Sequence, residues 1–70
     1  MAKDLVELGK RIRILRKGKG WRQDDLALHM GLTRTYISNI ERGRKNLSFR
    51  TLQILAAGFG MTLSDLLKDI

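Results

Sequence analysis

The sequence predicts an all-α domain of five helices, and three observations carry that expectation. The 70 residues contain no proline, their apolar side chains recur at spacings of three and four, and no segment alternates apolar with polar as a half-buried strand does. The first helix is expected over Leu5–Lys17, with Leu5, Leu8, Ile12 and Leu15 on one face, Lys10, Arg11, Arg13 and Lys17 largely outside it, and Gly18 and Gly20 to end it. The second occupies Gln23–Met30. The third runs from Arg34 to Glu41, with Thr33 as its N-cap and Gly43 as its stop. The fourth is capped by Ser48, carries Leu52, Leu55, Ala56 and Phe59, and ends between Gly58 and Gly60. The fifth starts near Thr62 or Leu63 and brings Leu63, Leu66, Leu67 and Ile70 to one side. With no linker, repeat or low-complexity stretch, residues 1–70 read as a single domain.

So short a chain buries only about 60% of its unfolded surface, so its core is marginal and association with a second copy would help it. Fourteen Lys and Arg against seven Asp and Glu give a net charge of +7, and the excess is uneven. Residues 1–50 carry thirteen basic and five acidic side chains, residues 51–70 one and two. A basic surface serves nucleic acid, an anionic membrane or simple solubility, and charge alone does not choose among them. No apolar run approaches the ~20 residues of a membrane span, and the first residues lack the order of a secretory signal, so a cytoplasmic protein is expected. The absence of cysteine excludes disulfides and thiolate metal sites. His29 has no companion at ligand spacing, and no nucleophile stands beside a base and an orienting group. Neither an enzyme nor a cofactor is expected.

Residues 23–42 carry the chemistry. Leu26, Ala27, Met30, Leu32, Ile37 and Ile40 supply an inward face for two short helices, and Gly31 sits where their turn needs positive φ. The outward face of the second of them is Thr33, Arg34, Thr35, Ser38 and Asn39, side chains of the kinds that pair with base edges and phosphates of double-stranded DNA. The segments Leu8-Gly9-Lys10-Arg11-Ile12-Arg13, Leu15-Arg16, Gln23, Leu26-Ala27, Gly31-Leu32-Thr33-Arg34, Tyr36 to Gly43, and Leu52, Leu55, Ala56 together resemble the phage-repressor and Cro type of helix-turn-helix domain. Residues Arg34 to Asn46 are also similar to the controller proteins of restriction-modification systems, although the same phrases occur in regulators of other operons. The resemblance implies a five-helix lambda-repressor-like fold and a sequence-specific regulator.

Arg34 and Thr35, at the N-terminal end of the third helix, are placed to contact bases or the adjacent phosphate, solvated surface being the alternative. Asn39 reads adenine or holds a phosphate. Tyr36 reaches a phosphate or base step, or packs as partial core. Arg42, Arg44, Lys45 and Asn46 form a basic loop for phosphates, from which Arg44 enters a groove in the bolder reading. Lys10, Arg13 and Lys17 are expected to be a solvated face. The resemblance implies that Gln23 grips a phosphate at the start of the second helix and that Arg16 and Glu41 form a partly buried ion pair. Position 22 departs from the Ser or Thr usual in the family: Arg22 accepts no amide hydrogen bond, so the cap must come from elsewhere, and Arg22 is free to add a phosphate contact. Trp21 is expected as an apolar lid. Asp24 and Asp25 complement the helix dipole, and in lambdoid activators the position matching Asp24 touches RNA polymerase.

The uncharged tail carries Phe59, Met61, Leu63, Leu66, Leu67 and Ile70, more apolar surface than a short helix hides in its own subunit, and a homodimer interface is expected there. Two copies facing successive major grooves would bind half-sites ~34 Å apart. The resulting expectation is an autoregulatory, dimeric transcription regulator on a pseudo-palindromic operator, preferably a restriction-modification controller. A phage repressor, or an antitoxin whose tail captures a toxin, is the alternative; a membrane binder is disfavoured because the apolar residues are needed inside.

Overall fold

The computed structural model describes residues 2–70, with side chains from residue 4 onward, and among these residues the regular secondary structure is all α-helix. The elements are α1 (Ala2–Gly18), α2 (Gln23–Met30), α3 (Arg34–Glu41), α4 (Phe49–Gly58) and α5 (Leu63–Leu67). Their apolar stripes meet in one core, in which Ile12, Leu26, Ile37, Ile40, Leu55 and Leu66 are the largest fully buried side chains. Helix α1 begins three residues before the expected Leu5. The apolar stripe marks where a helix first packs, whereas the backbone continues through any residue that tolerates it, and Asp4 in the first turn favours the dipole.

Two of the starts are capped as the sequence indicates, by Thr33 and Ser48, and a third is capped by Thr62, near which the fifth helix is expected to begin. Thr33 Oγ1 accepts from the Tyr36 amide at 3.1 Å, Ser48 Oγ from the Thr51 amide at 3.1 Å, and Thr62 Oγ1 from the Asp65 amide at 3.0 Å. At α2 the solution is different. The Asp25 carboxylate reaches back to accept from the Arg22 amide at 2.8 Å, while no side chain caps the amides of the first turn. Between α2 and α3 the turn closes on Gly31 at φ 67°, which lets the Leu32 amide bond to the Ala27 carbonyl at 2.9 Å.

Helix α1 sets the angle of α3. A Cβ on Gly9 would lie 2.5 Å from the Ile40 carbonyl oxygen and 2.7 Å from that of Glu41, so the two backbones touch where only glycine fits. At its other side α1 holds the tail. Arg11, expected outside, is half-buried and donates from Nη1 to the Leu66 carbonyl at 3.0 Å and to the Lys68 carbonyl. Charged heads near a helix C-terminus satisfy its orphan carbonyls, an arrangement that spacing within α1 does not disclose.

This docking corrects the expected interface. Phe59 is 6% exposed and Leu66 0%, so both belong to the chain's own core and not to a subunit boundary. Met61, Leu63 and Leu67 are half-buried against that core. Ile70 lies beyond the end of α5 and is 37% exposed. Trp21 is the lid the sequence indicates: half-buried, it stacks on His29 at 4.3 Å between ring centroids and lies 6.1 Å from Phe59.

Candidate nucleic-acid interface

Helix α3 packs Ile37 and Ile40 inward, and its 3.6-residue period turns Arg34, Thr35, Ser38 and Asn39 to the opposite side. These four, with Arg42 just beyond the helix, line an open polar cleft of about 600 Å³. Gln23 from α2 and Arg13 from α1 complete its walls, together with Arg16 and Glu41.

Arg16 and Glu41 are buried and meet as a fork, Nε to Oε2 at 2.7 Å and Nη2 to Oε1 at 3.0 Å. The third nitrogen of the guanidinium, Nη1, donates to the Trp21 carbonyl at 2.8 Å, and Gln23 Nε2 donates to Glu41 Oε1 at 3.2 Å. One carboxylate thus ties α1, the entry to α2 and the end of α3 together. The hydrogen bond to Glu41 raises the Arg16 pKa above its ordinary value against the opposing cost of burial, so the guanidinium stays charged. One N–H of the Gln23 side-chain amide is engaged by Glu41, so the grip on a phosphate that the resemblance implies is left to the second N–H of that nitrogen and to the backbone amide.

The other expected residues divide between this cleft and its surroundings. Arg34 Nε lies 3.8 Å from Asp24 Oδ1, both groups exposed, a contact that contributes little stability but restricts where the guanidinium points. Arg22 lines a smaller neighbouring recess of about 350 Å³ with Asp24 and Arg34. Thr33 uses its hydroxyl as the cap of α3. Tyr36 is half-buried outside the cleft lining, with Lys45 Nζ 5.2 Å from its ring centroid, so the ring sits beside the loop that follows α3. Arg44 and Asn46 are exposed on that loop and do not line the cleft. Arg13 is the residue that sequence reasoning set aside. The available signal was its position three residues before Arg16, which puts both on one face of α1.

Two short helices joined by a glycine turn, the second with a polar outward face at the mouth of a basic cleft, define a helix-turn-helix DNA-binding domain. The chain belongs to the helix-turn-helix family, whose model matches residues 12–66. It is 41% identical over 66 residues to the control protein C.MunI of a Mycoplasma species, covering 93% of this chain and 89% of that one. Among solved structures it is similar to the restriction-modification controller protein C.AhdI from Aeromonas hydrophila, with a TM-score of 0.86 and 39% identity over 91% of this chain and 97% of that one. It also matches the biofilm regulator SinR solved in complex with DNA, with a TM-score of 0.79 and 34% identity over 87% of this chain and 98% of that one.

Proposed function

We propose that this protein is a transcriptional regulator that binds a pseudo-palindromic operator as a homodimer, and that its setting is the control of a restriction-modification operon. The observation that carries the reading is the convergence of Arg34, Thr35, Ser38 and Asn39 on one open cleft whose angle is held by the Arg16–Glu41 fork. Arg34 and Thr35 begin α3, the end of a recognition helix that reaches base edges. Arg44 and Asn46 add backbone contacts from the loop. The similarity to two controller proteins over nearly their whole lengths supports the setting. Among the described residues no helix is long and apolar enough to cross a membrane, in keeping with a cytoplasmic regulator.

The dimer is supported by apolar side chains at the α4 and α5 end. Phe49 is 64% exposed and Ile54 40%, both on α4, and with Met61, Leu63, Leu67 and Ile70 they offer a second copy more apolar surface than the tail alone. Selection from random duplexes is expected to return two half-sites about 10 base pairs apart. Arg34→Ala should cost about 1–3 kcal/mol on the selected site and relax preference at one position in each half-site. An unstructured collection of sequences, or an Arg34→Ala variant with undiminished preference, would refute the reading.

Asp24 is proposed to contact RNA polymerase, now with the added constraint that its carboxylate also touches Arg34. Asp24→Asn should abolish activation in a reporter assay while leaving operator affinity within about twofold, the small effect of an exposed pair. A change of base preference in that variant would assign Asp24 to orienting Arg34 instead.

A further inference from the structure

Five basic residues lie on α1 between positions 10 and 17, and the structure gives them different fates. Lys10 Nζ lies 3.9 Å from Glu7. Arg11 holds the carbonyls at the end of α5. Arg16 is buried against Glu41. Lys17 is exposed away from the cleft lining. Arg13 alone of the five is exposed, enters no ion pair among the described residues, and forms the α1 wall of the cleft into which α3 presents Arg34, Asn39 and Arg42.

We infer that the inner part of this cleft seats a DNA backbone phosphodiester, and that Arg13 binds it together with Arg42, making α1 part of the interface. The inference rests on the DNA-binding reading above and adds a binding residue to it. Three features converge on an anion there. Arg13, Arg34 and Arg42 bring three guanidinium groups to one recess, while the one carboxylate in its lining, Glu41, has its side chain buried and already neutralised by the fork from Arg16. The N-terminus of α2 opens beside it through Gln23, and no side chain caps the amides of that first turn. The acids of that turn are engaged, Asp24 by Arg34 and Asp25 by the Arg22 amide. Amides at a helix start and forked guanidinium groups are the donors that match phosphate oxygens. A volume of about 600 Å³, open on one side, admits a passing chain of phosphodiesters more readily than it encloses a lone ion.

The test compares wild type, Arg13→Gln, Lys17→Gln and Arg34→Ala on the selected operator and on a scrambled duplex, across 50–200 mM salt. Far-ultraviolet circular dichroism verifies that each variant is folded. One lost phosphate contact lowers the salt slope by about 0.9, so the deficit of Arg13→Gln should change about 3.5-fold across that range, equally on both duplexes, with the operator preference kept. Lys17→Gln removes the same charge from α1 outside the cleft and should leave the slope near that of wild type. A slope for Arg13→Gln equal to that of wild type or of Lys17→Gln overturns the inference while leaving the regulator reading intact. Wild-type protein that selects no operator fails that reading instead, and is distinguishable because no variant comparison is then needed. Inorganic phosphate is the final probe. If it binds in an Arg13-dependent manner while the DNA salt slope of Arg13→Gln is unchanged, the seat belongs to a free anion and the backbone assignment is wrong.

Discussion

Gly9→Ala is expected to lower the melting temperature by roughly 12–24 °C. Alanine is the better helix former by about 1 kcal/mol, so on propensity alone the substitution would stabilise α1. The added methyl, however, would stand 2.5 Å from one carbonyl oxygen and 2.7 Å from the next at the end of α3, and both obstacles are backbone. Flexible side chains can swing away from such a contact; a helix terminus must move as a body. Overpacking costs about 1–3 kcal/mol where the surroundings adjust, and the upper end of that range applies here. In a domain of 60–100 residues each kcal/mol is worth about 4–8 °C. A thermal melt followed by circular dichroism reads the effect directly, and an unchanged or raised melting temperature would show that α1 and α3 are not locked at this point. Because α3 carries the face proposed to read bases, the displaced structure should also bind the selected operator less well than an equally destabilised variant of the α4 surface.

Glu41→Ala should cost about 3–5 kcal/mol, because it leaves the Arg16 guanidinium buried with its main partner removed. For a 70-residue domain whose whole stability is on the order of 4–10 kcal/mol, that is a large share. The double variant Arg16→Met with Glu41→Leu is expected to recover most of the loss, since neither charge is then stranded. Urea denaturation of the two variants separates these outcomes: equal losses in both would mean that the site is sustained by packing and not by charge. Arg16 sets no acidic limit on the pair. Its folded pKa is raised, so its contribution is fully present below the ordinary arginine value and is lost only as pH rises through the still higher folded value. The double variant should nevertheless read DNA less faithfully, because Gln23 loses the oxygen that fixes it.

Much of this arrangement is legible in the residues. The apolar period gave α2 and α3 to the residue, and the hydroxyl residues Thr33 and Ser48 marked the helix starts because an N-cap is decided by local chemistry. Arg34, Thr35, Ser38 and Asn39 were legible as one polar face for the same reason, a helical period acting within eight residues. What the sequence withheld depends on pairs far apart in the chain. That Phe59 and Leu66 are internal, that Arg11 reaches the tail, that Asp24 meets Arg34 and that Arg13 faces the cleft all follow from the way one helix crosses another. The need for glycine at position 9 belongs with these, since its obstacle lies more than thirty residues away. Asp25 is an intermediate case: its reach back to the Arg22 amide is local, but it was concealed because the residue at the cap position is a donor.

The strap from Arg11 to the carbonyls of Leu66 and Lys68 joins positions 55 and 57 residues apart. On a ribosome, α1 emerges well before the groups that engage Arg11 and can coil in their absence. Assembly of the domain therefore waits for the final turn of α5, and a nascent chain interrupted before it holds Leu55 and Phe59 without the Leu66 side chain that closes over the core. The core beneath the α1–α3 contact is consequently complete only after residue 66 has left the tunnel. Unfinished chains would carry an open core under helices that are already joined, and their exposed apolar side chains would make them the ones open to proteolysis or aggregation.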